Sequence, residues 1–123
     1  MMMPLFRWSE MEDEVITPAH STAHGANIRG EKIEVGRFFY PPNTGAEPHV
    51  HPNEQIFVIL RGRMKFRIGQ EEGIAGPGEA VLAPPNVEHE IRALDEEVEF
   101  INCKDVVKGF SVKHAKWESE PQE

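Results

Sequence analysis

From Gly30 onward the chain breaks into short runs in which apolar and polar residues alternate. In Arg63–Ile68 the alternation is clean: Met64, Phe66 and Ile68 share one side while Arg63, Lys65 and Arg67 share the other. That period of two belongs to a half-buried strand and not to a helix. Similar segments rich in β-branched and aromatic residues are Glu31–Tyr40, Gln55–Leu60, Ala80–Ala83, Glu88–Ala93 and Glu97–Cys103, all expected to be strands. Seven of the ten prolines lie between Pro41 and Pro85, too densely for a long helix. Leu60-Arg61-Gly62-Arg63 and Ile68-Gly69-Gln70-Glu71 have the chemistry of tight antiparallel turns, so a ladder of hairpins is expected. The class is all-β, an antiparallel sandwich or small barrel.

A chain of 123 residues holds one core. The pattern divides it into an N-terminal strand-forming arm (1–30), a barrel (31–116) and a loose tail (117–123), with Leu5, Phe6 and Trp8 available for the arm to pack through. With 13 basic and 21 acidic residues the net charge is −8, which argues against a nucleic-acid partner. The longest apolar run, Ile56–Leu60, is far short of the roughly 20 residues of a membrane helix. With no signal-peptide core after Met1, a cytoplasmic protein is expected. That same run is apolar on both strand faces, one of which needs a cover beyond the chain's own core; a homodimer is the simplest one.

The single Cys103 rules out a multi-cysteine metal site, and its parity makes it a small hydrophobe. Histidine is the more informative residue. His49 and His51 stand two apart on an extended segment and project side by side, with Gln55 of matching parity; Glu54 points the other way, to solvent. His89 shares a side with Val87 and Ile91 and looks inward. His20, His24 and His114 lie apart from these and are expected to be bystanders. Three inward imidazoles and an amide oxygen suit one divalent transition metal: Zn, Ni, Fe, Mn or Cu.

These residues resemble the two motifs of the cupins, and in particular a small single-domain cupin of the RmlC-like jelly-roll superfamily. His49-Val50-His51, Gln55 and, after six intervening residues, Gly62 match the first motif; Gly78, Pro84 and His89 match the second. Fifteen residues separate Gly62 from Gly78, as in compact members. The departures are Gly45, two residues nearer His49 than in the pattern, Asn86 for an inner Gly, Ala93 for a terminal Asn, and Gln55 for Glu. Asn tolerates the left-handed backbone a Gly supplies.

The resemblance implies a double-stranded β-helix, or jelly-roll β-barrel, over about residues 31–103, with His49, His51, Gln55 and His89 as metal ligands and coordination positions left open for a small-molecule ligand. It also implies a choice of chemistries: isomerase, lyase or cyclase action on a sugar acid or an enolisable carbonyl compound with the metal as Lewis acid, dioxygenase chemistry, or non-catalytic ligand binding. Gln55, being neutral, leaves more positive charge on the ion than Glu would, which favours Lewis-acid work. Tyr40, Arg37 and Asn102 are candidates for the pocket wall, though Asn102 cannot exchange a proton where an acid would be wanted. Arg37 and Lys104 are candidate anchors for an anionic substrate, with surface charge as the alternative reading of both.

Overall fold

In the computed structural model, which describes residues 3–119, the protein is almost wholly antiparallel sheet. A single 3-10 turn at Trp8–Glu10 precedes twelve strands: β1 (Glu14–Val15), β2 (His24–Arg29), β3 (Ile33–Tyr40), β4 (Gly45–His49), β5 (Gln55–Arg61), β6 (Met64–Ile68), β7 (Glu71–Ala75), β8 (Ala80–Ala83), β9 (His89–Ala93), β10 (Val98–Asp105), β11 (Phe110–Ser111) and β12 (Lys116–Trp117). Six form one sheet in the order β1-β2-β3-β10-β5-β8, and four form the facing sheet, β4-β9-β6-β7. A small hairpin, β11-β12, stands apart. This is the jelly-roll arrangement that the residue pattern and the resemblance led us to expect.

All six expected strands are present, with ends moved by no more than two residues. The expected hairpin ladder is half right. Ile68-Gly69-Gln70-Glu71 does close a hairpin, with Ile68 opposite Glu71. Leu60-Arg61-Gly62-Arg63 instead carries the chain from one sheet to the other, because β5 pairs with β10 and β8 and never with β6. Gly62 makes that corner feasible: its φ is +82°, and a Cβ there would lie 2.4 Å from the Glu97 carbonyl oxygen. Asn86, at the position of the motif's Gly, has φ +61°, the left-handed backbone its side chain allows.

The arm does more than lie alongside. Its residues 24–29 pair along β3, and Glu14–Val15 extend the same sheet, while Leu5 and Phe6 remain exposed. At the other end, Trp117 packs edge-on against Phe110 across the small hairpin, and residues 120–123 of the expected tail lie outside the described residues.

Between the sheets the core is filled by Phe38, Phe57, Ile59, Met64, Ile91, Val98 and Phe100, with alanines where the sheets approach closely. The inner side of the six-stranded sheet changes character along its length. Near one end Ile59, Phe100 and Phe38 lie side by side on β5, β10 and β3. Towards the other end the cross-strand row is Ala83, Gln55, Lys104 and Glu34, all buried.

Candidate metal centre

The histidines are brought together by two local devices. On β4 the pairing with β9 slips between Ala46 and His49, at Glu47-Pro48. Pro48 has no N–H to offer the ladder, so an irregularity there is natural, and it turns His49 towards the interior on a strand where Ala46 already faces inward. His51 and Gln55 then follow on the inward parity, with Gln55 opening β5. From across the barrel, fully buried His89 starts β9 directly opposite His49. Candidate ligand atoms of His49, His51 and His89 all lie within 4.8 Å of one another.

Each imidazole is held in the same way. Nδ1 of His49 meets the Glu47 carbonyl oxygen at 2.6 Å, Nδ1 of His51 the Asn53 carbonyl at 3.2 Å, and Nδ1 of His89 the Val87 carbonyl at 2.9 Å. A carbonyl only accepts, so at His49 and His89 Nδ1 carries the proton and the neutral ring keeps its lone pair on Nε2, whereas His51 has an acceptor at each ring nitrogen. The rings are neutral: burial pushes His49 down to about 3 and His51 to about 4, and burial lowers His89 as well.

Gln55 supplies the most telling contact. Its Nε2 donates to Oδ1 of Asn102, which turns Oε1 towards His51, 3.0 Å from that ring's Nε2. A neutral His51 carries one proton for two acceptors, the Asn53 carbonyl and Gln55 Oε1, so one of these two contacts is left without a proton. The buried Nε2 of His89 has no hydrogen-bond partner at all. A divalent ion resolves both: ligands about 2.1 Å from a shared metal and at right angles to each other are about 3 Å apart. The donor set of three imidazole nitrogens and one amide oxygen fits such an ion, and the backbone carbonyls behind the rings are the usual outer partners that orient metal-binding histidines.

The remaining candidates divide. Asn102, 1% exposed, and Tyr40, 3% exposed, both line the cavity beside the histidines. Burial pushes the Tyr40 phenol up to about 12, so near neutral pH it keeps its proton, can donate a hydrogen bond and cannot serve as a base. Arg37 is a correction. It lies on the outer side of β3, where it pairs with Glu99 at 2.6 Å and covers the ring of Phe39. The inward side of β3 belongs to Phe38 and Tyr40, so Arg37 cannot reach the pocket. Glu54 is exposed, as its parity implied.

Two further residues belong to the cavity, the candidate anchor Lys104 and the expected bystander His20. Lys104, 7% exposed, faces inward on β10 between Gln55 and Glu34, and burial lowers its ammonium from the ordinary lysine range. Its parity with Val98, Phe100 and Asn102 carried that signal. His20 also is no bystander: its ring stacks on His49 at 4.1 Å between centroids. The contact arises because the Glu47 N–H donates to the His20 carbonyl and Ser21 bridges to Ala46, fastening the arm over β4. Nothing local in the sequence announces it. His24 does stand apart, with Asp13, and His114 lies in the turn of the small hairpin.

The cavity at the histidines has a volume of about 30 Å³, enough for an ion and a small group. Ile16 and Val112 also border a neighbouring cavity of about 380 Å³ beneath residues 106–118, walled by Asn27, Arg29, Glu34 and Asn53.

The cupin-domain family model matches residues 36–103, more than half of the chain and the whole of the histidine-bearing region. The chain belongs to the cupin family. Among curated proteins this cupin is similar to the H2HPP isomerase of Bacillus subtilis, 34% identical over 86 residues that make up 68% of this chain and 36% of the isomerase. The chain therefore spans about a third of that relative's length. Among solved structures it resembles KdgF from Halomonas sp., with a TM-score of 0.73, 18% identity, and coverage of 85% of this chain and 94% of that one. It also resembles the polyketide cyclase RemF from Streptomyces resistomycificus, with a TM-score of 0.71, 19% identity, and coverage of 85% and 80%. At these identities the structural likenesses establish the fold.

Proposed function

We propose that this cupin is a divalent-metal-dependent enzyme that acts on an oxygenated small molecule, a sugar acid or an enolisable carbonyl compound, in an isomerase-, lyase- or cyclase-type reaction. The observation that carries the reading is the unpartnered Nε2 of fully buried His89, beside a neutral His51 that faces two acceptors with one proton. In it His49, His51, Gln55 and His89 hold the ion. When bound, the ion supplies Lewis acidity towards a carbonyl or hydroxyl oxygen.

The chain's own residues supply the rest. Asn102 fixes the Gln55 amide, so that its oxygen faces the histidines. Tyr40, still protonated, donates a hydrogen bond to a substrate oxygen. His20 is a second neutral imidazole at the cavity wall, with burial holding its pKa below the ordinary value, and is the nearest group suited to passing a proton. Phe57 and Phe100 keep the inner wall dry. The body of a substrate larger than a few atoms lies towards the 380 Å³ cavity, past Ile16 and Val112. The relation to an isomerase supports a reaction that rearranges bonds.

The test is turnover of sugar acids, 2-oxo acids and diketones by metal-loaded protein with and without chelator. Chelator-sensitive product formation is the expected result. Tight metal binding with ligand-induced thermal stabilisation but no turnover would replace the enzyme with a binding module.

We also propose a cytoplasmic homodimer. On the outer side of the large sheet Leu82, Ile56, Cys103, Val35 and Ile28 form one cross-strand row, with Leu82 52% and Ile56 40% exposed. Such a face is stable when a second copy covers it, and a lone thiol within it suits a reducing compartment.

A further inference from the structure

We infer that the substrate carries a carboxylate and that Lys104 is the residue that reads it. This deepens the metal-dependent reading above and rests on it for the chemistry, though not for the binding. Among the sixteen residues that line the histidine cavity there is no Asp and no Glu, and the histidines are neutral. Lys104 is thus the only Lys, Arg, Asp or Glu among the residues lining the cavity, and it is 7% exposed. In a chain of net charge −8 the cavity is a local exception.

The ammonium is also short of a counter-ion. Its cross-strand neighbour Glu34 is the natural candidate, but that carboxylate accepts from Asn27 Nδ2 at 3.0 Å and leans towards Arg29 at 4.0 Å. Among the described residues no carboxylate forms an ion pair with Lys104. Glu34 still acts on Lys104 at longer range, raising its pKa against the lowering by burial, but a buried cation held only at that range is costly, and an anionic ligand at the ammonium offsets the cost. On its other side Lys104 faces Gln55, so an anion held by its ammonium sits next to the group that orients towards His51. Thr17, Tyr40 and Asn102 line the same space with further polar atoms. A carboxylate α to a ketone or hydroxyl satisfies both demands: the acid end answers Lys104 and the neighbouring oxygen faces the histidines.

The experiment compares pyruvate with its uncharged isostere butane-2,3-dione by calorimetric titration, at constant ionic strength, into zinc-loaded and metal-free protein. Wild type is expected to bind pyruvate at least about tenfold more tightly than the dione. Lys104→Met should erase that preference with zinc content and melting temperature kept, and Lys104→Arg should retain part of it. Lys104→Gln carries the same test if the Met variant does not fold. Equal binding of the two probes by wild type, or an undiminished preference in the folded Lys104 variants, overturns the inference. If wild type takes up no zinc yet shows the Lys104-dependent preference, the metal reading fails and the carboxylate inference stands.

Discussion

Two cross-strand rows of the six-stranded sheet share their strands and differ in everything else. The inner row reads Ala83, Gln55, Lys104 and Glu34; the outer row, one residue along each strand, reads Leu82, Ile56, Cys103 and Val35. Polar groups are inside and apolar groups outside, the reverse of an ordinary two-layer sheet. The inversion is local: two residues further along β5 and β10 the inner side returns to Phe57 and Asn102, and beyond them to Ile59 and Phe100. A sheet tolerates buried polar side chains in one stretch when they serve a ligand, and tolerates an apolar outer stretch when something covers it. One inverted row therefore marks two surfaces, a binding site within and an interface without.

The outer half of that comparison breaks with the largest effect. Ile56→Lys places a charge in the middle of the outer row without touching the inner one, and sedimentation should show conversion from dimer to monomer at micromolar concentration. A wild type that is already monomeric would remove the interface.

The inner half is sharpened by setting the apolar end against the polar one. Ile59→Ala, at 1% exposure, should lower stability by about 2–5 kcal/mol through lost burial and a cavity. Lys104→Met should leave stability within about 1 kcal/mol of wild type, or raise it, because an apolar side chain of similar length relieves a buried charge. Chemical denaturation of both variants decides it, and a loss at Lys104→Met as large as at Ile59→Ala would make the lysine structural.

A dependence on pH should appear as well. His49 and His51 titrate at about 3 and about 4 in the folded protein, against 6.5 when unfolded. The unfolded chain thus takes up protons first as pH falls. Their contribution to stability is fully present above pH 6.5 and is lost progressively towards pH 4 and 3. In chelator, the melting temperature of wild type should fall over that range, and His51→Ala should flatten the slope; an identical slope in the variant would contradict neutral, buried rings.

The sequence made the strands legible wherever a period of two was reinforced by β-branched or aromatic residues, as in β3, β5, β6 and β10. It hid β4 and β7. The first contains Gly45 and Pro48, and the second, Glu71-Glu72-Gly73-Ile74-Ala75, is an edge strand defined by its pairing with β6. His49, His51, Gln55 and His89 were legible because parity and motif spacing are local. His20 was not, since a backbone pairing across the arm brings it to His49.

Arg37 and Lys104 were candidate anchors together, with surface charge as the alternative for both, and the structure separates them for one reason. Ile33, Val35 and Phe39 make the Arg37 side of β3 look like a core face, yet it is the outer one. Lys104 looks like ordinary surface charge in an acidic chain, yet it is inside. Hydrophobicity is a poor guide to direction in an inverted row, and parity counted from the core residues Phe38 and Phe100 is the better one.

The chemistry proposed for the cavity requires one ion held by the three histidines and Gln55. The direct measurement is metal content per chain, by elemental analysis after loading with zinc and desalting, for wild type, His51→Ala, His89→Ala and His24→Ala. One equivalent in wild type and in His24→Ala, with less than about a tenth of that in the other two, is the predicted result. Equal metal in all four proteins, or none in wild type, would contradict it.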